Sequence, residues 1–363
     1  MPRPTVAEID LKALANNWSV LSGIQKSSSL TPVIKANAYG HGVAAFAQEL
    51  QKMGAKRVAV ALLEEAEELR RIGYKDPILV LGPFSTSDVP IAQSLGIIPM
   101  ASDKQFLLNL GQKGFSGEIH VKWDTGMNRL GFAEADVTWL KETLRRFPQL
   151  RIQALGTHLL KGDDLGSSNG FSESQIQKFL RIESHFPEVQ EKHIFNSDGF
   201  FANQMSGRLP FTYGSRPGLS LYGYSGVVSD ATKKLKPVMT LKTKIVHLID
   251  VKKGGTVSYN ATWTAQRDSK IAILPIGYAD GYPRILSNKG QVFVRGKVVP
   301  LVGTVCMDYL MIDVTDVEGA DQGDDVELWG NNIPLEQIAR AAGSITYELM
   351  TALTSRVPRM VLS

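Results

Sequence analysis

The feature that most constrains this chain is an alternation. Between Thr31 and about Tyr224, short apolar runs alternate with amphipathic stretches. The runs at residues 32–36, 58–62, 78–81, 97–100, 119–123, 152–156, 193–196 and 211–214 read as strands. Segments 64–72, 103–110, 134–146 and 172–185 read as helices, the last with Ser172 as its expected N-cap. Parallel strands need a crossover, so strands alternating with helices specify a parallel sheet. An open doubly wound sheet usually has five or six strands, whereas eight is the number that closes a (β/α)8 barrel.

Beyond Tyr224 the texture changes. Residues 225–237 contain Gly and Ser, turn basic and end in proline, which suits a linker. Then come β-like runs at 239–251, 270–276, 291–294, 298–305, 310–314 and 326–328. Gly296-Lys297 and Asp321-Gln322-Gly323-Asp324 are turn signals between them. Only 334–342 and 346–355 read as helical there. The fold class is α/β: a (β/α)8 TIM-type barrel over residues 1–230, then a smaller, mainly β-strand domain over 231–363. Residues 1–11 precede the first barrel strand and are expected to pair with the second domain.

Several function classes drop out. A net charge of +4 with scattered basic residues gives no case for nucleic acid. Cys306 is the only cysteine, so there is no intrachain disulfide and no multi-cysteine zinc site, and no metal is expected. No apolar run approaches membrane-spanning length, and residues 1–5 carry no signal-peptide core, so a cytoplasmic location is expected.

In a parallel barrel the chemistry sits at the C-terminal ends of the strands. The first strand ends in Lys35. The fifth carries Lys122 and runs into Asp124-Thr125-Gly126-Met127-Asn128-Arg129. The sixth ends in Thr157-His158, the seventh in Asn196-Ser197, and the eighth in Ser215-Arg216-Pro217-Gly218. Taken singly, each has an ordinary explanation: a lysine snorkelling from a strand end, a satisfied core histidine, a surface arginine. One fold rule brings them all to one mouth, which weakens those explanations together.

A lysine at the mouth of a buried strand is partly desolvated, which lowers its pKa and suits it to Schiff-base chemistry. Phosphate sites in barrels use the loops after strands seven and eight, where Ser197 and Gly218-Leu219-Ser220 stand. A phosphate site beside such a lysine suggests pyridoxal phosphate. Gly40-His41-Gly42-Val43-Ala44-Ala45 also matches a dinucleotide fingerprint, but Lys35 and Asn37 interrupt its strand-to-glycine junction and too many βα units follow.

The ordered set of motifs resembles the alanine racemase family over nearly the whole chain. The motifs are Val33-Ile34-Lys35-Ala36-Asn37-Ala38-Tyr39-Gly40-His41-Gly42, Asp124 to Gly131, Arg216-Pro217-Gly218 with Leu221-Tyr222-Gly223, Gly277-Tyr278-Ala279-Asp280-Gly281, Met307-Asp308 and Arg356-Val357-Pro358-Arg359. The resemblance implies a pyridoxal-phosphate enzyme that racemises alanine and supplies D-alanine for cell walls. It implies a homodimer with shared active sites. Lys35 would hold the cofactor through its amine and then serve as the base on the D face. Tyr259, from the other subunit, would serve the L face.

By the same resemblance, Arg216 faces the pyridine nitrogen and His158 contacts Arg216 and the tyrosine base. Arg129 bonds the cofactor's phenolic oxygen and the substrate carboxylate, and the Met307 N–H is a second carboxylate donor. Lys122 corresponds to a lysine carbamylated in many members; Tyr39, Ser197, Gly218, Leu219 and Tyr347 fit phosphate-binding positions. Tyr278 and Tyr347 match residues that narrow the substrate entrance, and Asp308 belongs to the Met307 signature. Departures from the family pattern are Asn128, Asn260, Cys306, Tyr309 and the run from Leu159 to Asp164. The nearest alternative is a broad-specificity amino-acid racemase of the same fold. A decarboxylase would be expected to put a carboxylate where Arg216 stands, and a non-catalytic cofactor-binding barrel would lack the β domain.

Overall fold

The computed structural model describes residues 3–26, 29–167 and 170–362, so residues 1 and 2 of the expected N-terminal segment lie outside it. Backbone contacts divide the chain into two units. One comprises residues 13–38 and 43–236; the other comprises 3–12, 39–42 and 237–362. The passage between them falls at Lys236–Pro237, a little beyond the expected 230/231 division.

The first unit is a closed parallel barrel. Seven strands pair in chain order: Val58–Val60, Ile78–Val80, Ile98–Ala101, Gly117–Lys122, Leu150–Gly156, Glu191–Phe195 and Gly214–Ser215. Residues 30–33 complete the ring, with Leu30 bridging to Ser215 and Val33 to Ala59, both parallel. Val58–Val60 and Ile78–Val80 are buried throughout, as strands covered on both faces must be. The outer helices bury one face each. Val43–Lys52 buries Val43, Phe46, Ala47 and Leu50, an i, i+3, i+4, i+7 stripe.

Three expected features of this unit are corrected. The first strand does not run to residue 36, because pairing ends near Ile34 and Ala36, Asn37, Ala38 and Tyr39 all take φ of 51–53°. The eighth is only Gly214–Ser215, because the Gln25 side-chain amide donates to the Phe211 and Tyr213 carbonyls at 3.0 and 2.8 Å. Ser172 does not cap its helix, which spans Phe171–Glu183. Asp164 does so from the preceding loop, accepting from the Phe171 and Ser172 N–H groups at 2.8 and 3.1 Å.

The second unit is mainly β. Its largest sheet has the order Lys297–Pro300, Gln291–Val294, Asp325–Trp329, Met239–Lys244, Val6–Asp10, Arg359–Leu362. Met239–Lys244 alternates buried and half-buried residues, the period of a sheet with one covered face. The expected single strand over 239–251 is two. At residues 245–246 the chain changes sheets: Ile245 N donates to Asp324 and Val246 N to Ile273. His247–Val251 then pairs with Ser269–Leu274, which pairs with Leu310–Asp313. The run at 298–305 stops pairing in the large sheet at Pro300. The last helix is Thr346–Ala352, shorter than expected, because the Arg359 guanidinium binds the carbonyls of Leu353 and Thr354 at 2.7 and 2.6 Å.

Candidate active site

Lys35 closes the first barrel strand, and the chain then winds into one left-handed turn over residues 36–39. No glycine stands among those four, so each costs about 1–2 kcal/mol relative to a right-handed turn. Specific hydrogen bonds hold it. The Glu65 carboxylate accepts from the N–H groups of Ala36, Ala61 and Leu62 at 2.5, 2.7 and 3.1 Å. The Asn37 side chain accepts from Val43 N at 2.8 Å and starts the next helix. Burial, then the Arg129 guanidinium, pushes the Lys35 amine below the usual lysine range, while Glu65 opposes the shift.

Lys122 ends the fifth strand with its side chain inward and only 8% of its surface exposed. Burial, then Arg129 and Arg216, pushes its amine down to about 8. The loop that follows is shaped by Asp124, whose carboxylate accepts from Gly126 N and Asn128 N at 2.9 and 3.1 Å. Asn128 takes φ 54°, and Asn260 takes φ 62° in the other unit. Asparagine is among the few side chains that tolerate this region.

Arg216 is buried beneath the mouth. Its guanidinium donates to the Thr157 and His193 carbonyls and to His193 Nδ1, and lies 3.2 Å from His158 Nδ1. An arginine offers only hydrogens, so His158 presents a lone pair at Nδ1 and carries its proton at Nε2. Burial, then Arg216, Arg129, Lys122 and Lys35, holds His158 well below the usual histidine range.

At the ends of strands seven and eight, Asn196 caps the helix Ser197–Ser206 by accepting from Gly199 N at 2.8 Å. The Ser197 hydroxyl oxygen accepts from Gly218 N, Ser220 N and Ser220 Oγ at 3.1, 3.2 and 3.1 Å. Its own hydrogen can then point to a ligand beside the helix N-terminus, the geometry of an anion cradle. Four cationic side chains against Asp124 and Glu65 give the mouth a surplus of positive charge. A lysine of lowered pKa, an anion cradle and a buried arginine fit a phosphate-bearing aldehyde such as pyridoxal phosphate.

The second unit holds the other expected residues. Tyr259 sits between the paired strands Thr256–Val257 and Trp263–Thr264 and is 69% exposed. Its backbone is fixed: Thr304 Oγ1 donates to the Tyr259 carbonyl at 3.0 Å, and Ser258 Oγ donates to the Thr304 carbonyl at 2.7 Å. Tyr278 and Ala279 N–H groups donate to Cys306 and Met307 carbonyls at 3.0 and 3.1 Å. These bonds bring Tyr259, Tyr278 and Met307 into one loop cluster. Asp308 accepts from Arg356 at 2.6 Å, and Arg356 lies 3.3 Å from the buried Asp280, which also takes Arg3. The rings of Tyr39 and Tyr347 lie 5.7 Å apart in this unit.

Sequence reading missed Glu65, His193, His120 and Arg57. Glu65 left a faint signal as an acid in the first turn of the second barrel helix. His120 and His193 lie in strands, where inward direction could be inferred from His120 preceding Lys122 by an even step.

A closed barrel with a lysine of lowered pKa at its mouth, an anion cradle and a separate β unit define the framework of a Schiff-base enzyme. Within that class, the chain belongs to the alanine racemase family. Residues 9–226 match the model of the alanine racemase N-terminal domain and 238–361 that of the C-terminal domain. The alanine racemase of Halothermothrix orenii is 38% identical, with 98% of this chain and 96% of that one covered. The alanine racemase structure from Clostridium difficile 630 superposes with TM-score 0.90 at 30% identity, covering 100% of this chain and 96% of that one. The Bartonella henselae alanine racemase, with covalently bound pyridoxal phosphate, gives TM-score 0.88 at 30% identity over 99% of this chain and 100% of that one. The enzyme interconverts L- and D-alanine. Among the described residues, no helix is long and apolar enough to cross a membrane.

Proposed function

We propose that this enzyme racemises alanine with pyridoxal phosphate by a two-base mechanism, in a homodimer whose sites are shared, and that it does so in the cytoplasm. The observation that carries the reading is the pair of a lowered-pKa lysine at Lys35 and a highly exposed, backbone-fixed tyrosine at Tyr259. Pyridoxal phosphate, when bound, supplies the electron sink that acidifies the substrate Cα–H.

The chain's own residues do the rest. Lys35 would anchor the cofactor and, with its amine free, would move a proton at Cα on the D face. Tyr259 of a second copy moves a proton on the L face, since inversion needs a base on each side. The Ser197 hydroxyl and the Leu219 N–H would donate to the phosphate, with the Gly218 N–H orienting the Ser197 oxygen, and the family resemblance adds Tyr39 and Tyr347. Arg129 and the Met307 N–H hold the substrate carboxylate. Arg216 would face the ring nitrogen of the bound cofactor; because a guanidinium can only donate, it would leave that nitrogen unprotonated and make the ring a weaker electron sink. Tyr278 narrows the entrance toward a small side chain, and Asp308 with Arg356 steadies the Met307 loop.

The test is a polarimetric or coupled assay on L-alanine, with Lys35→Ala and Tyr259→Phe as controls. D-alanine is expected from wild type, with near-complete loss in the first variant and loss in the second. A cofactor-loaded wild type that makes no D-alanine would sink the reading. Comparable turnover of serine or lysine would point to the broad-specificity alternative.

A further inference from the structure

Below Arg216 the barrel holds two histidines to which the reaction assigns no role. Arg216 Nη1 donates to His193 Nδ1, and His193 Nε2 lies 2.8 Å from His120 Nδ1. His120 Nε2 lies 2.8 Å from Gln153 Oε1, and Gln153 Nε2 lies 2.6 Å from Glu118 Oε2. Both imidazoles are buried, Gln153 is half-buried and Glu118 is exposed. The residues thus form an unbroken chain from the base of the mouth to solvent.

The chain has one possible polarity. A guanidinium carries no lone pair to accept with, so His193 Nδ1 must be bare and its proton must sit on Nε2. That proton points at His120 Nδ1, which must also be bare. His120 then carries its proton on Nε2 and needs an acceptor, and the Gln153 carbonyl supplies it. The Gln153 amide hydrogens are left to face Glu118, a carboxylate. Adding a proton to either ring would put two hydrogens into one contact. Burial favours the same outcome: it pushes His120 down to about 3, and His193 well below the usual range.

A competitor stands next to the chain. Arg57 Nη1 lies 3.5 Å from His120 Nε2. It is held by Thr31 Oγ1 at 2.8 Å and by the Glu191 carboxylate. Were the Gln153 acceptor lost, Arg57 would be the nearest partner for His120 Nε2, which would have to accept. The proton would move to His120 Nδ1, His193 would have to accept it at a bare Nε2, and its own proton, shifted to Nδ1, would face Arg216.

We propose that Gln153 and Glu118, acting through His120 and His193, are positioning residues that set the proton pattern beneath Arg216 and hold its guanidinium in place for the reaction. The proposal rests on Arg216 being the ring-nitrogen donor, as read above. Nitrogen-15 spectra of histidine-labelled enzyme, cofactor-free and loaded, read the tautomers directly. In wild type, His120 and His193 are both expected to carry the proton on Nε2. In Gln153→Leu, the His120 proton is expected on Nδ1, with kcat down about tenfold or more and KM for alanine within about twofold. The double variant Glu118→Gln, Gln153→Glu keeps an acceptor for His120 and a donor at 118, and should restore both the tautomers and most of kcat.

A wild-type His120 or His193 protonated on Nδ1 overturns the proposal, whether or not Gln153→Leu folds. A fall in kcat with tautomers unchanged also overturns it, since that is a merely structural effect. A tautomer switch with kcat unchanged, or no change in either, overturns the link to the reaction, while the role of Arg216 itself is tested separately by product partitioning in Arg216→Glu.

Discussion

Replacing Lys122 with methionine removes a charge that the barrel mouth disfavours while keeping nearly the same volume. The ordinary lysine value is 10.5, and burial with Arg129 and Arg216 pushes this amine down to about 8. That gap corresponds to about 3 kcal/mol, and screening at the open mouth reduces it to about 2 kcal/mol. The folded pKa lies below the unfolded one, so between pH 8 and 10.5 the folded protein binds fewer protons. Wild type therefore carries the full penalty below pH 8 and sheds it as pH rises to 10.5.

Denaturant unfolding of Lys122→Met in CO2-free buffer, at fixed protein and cofactor concentrations, should give a gain of about 2 kcal/mol at pH 7. The gain should shrink above pH 8 and vanish near 10.5. Bicarbonate should reverse the sign. At pH 7.4 about a fifth of an amine with pKa near 8 is neutral, against about a thousandth of an ordinary lysine, and only the neutral amine reacts with CO2. A carbamate would be an anion between Arg129 and Arg216, and wild type would become the more stable protein. A methionine variant no more stable than wild type in CO2-free buffer at pH 7, or a difference that ignores pH, would refute the reasoning.

Arg216→Glu offers the ring nitrogen a group that can share a proton, so transamination should rise relative to racemisation; unchanged product partitioning would count against the role given to Arg216. Gly40→Ala should lower stability by about 3 kcal/mol or more, because φ is +81° and a Cβ would stand 2.1 Å from the Met350 carbonyl oxygen; a loss under about 1 kcal/mol in denaturant melts would contradict this. Asp164→Ala leaves the Phe171 and Ser172 N–H groups uncapped and should cost about 1 kcal/mol with kcat unchanged. An unaltered unfolding midpoint would show that the cap contributes nothing.

The strands of the barrel were legible because apolar runs of this length, buried on both faces, are set by local composition. The strand-end residues were legible for the same reason: once Val33-Ile34 is a strand, Lys35 must follow at its mouth. What escaped depends on partners distant in sequence. Asp164 caps a helix across a loop, and Gln25 reaches the 211–213 segment, so neither pairing leaves a local pattern. The left-handed turn at 36–39 runs against the propensity of alanine and tyrosine and is imposed by Glu65, Asn37 and the glycines that follow. The Arg216–His193–His120 chain needed three strands aligned before it existed.

That turn has a consequence for how the enzyme comes to be active. Its first residues, through Ala38, fold with the barrel, while Tyr39 to Gly42 fold with the β unit, where Arg359 holds the Gly40 carbonyl at 2.8 Å. The last anchor lies 319 positions further along the chain. A ribosome that has made only the barrel has supplied Glu65 and Asn37, which hold the first residues of the turn, but not the anchor of its exit at Gly40. The exit of the turn that begins beside Lys35 is therefore completed only when the last strand of the chain, Arg359–Leu362, has been made.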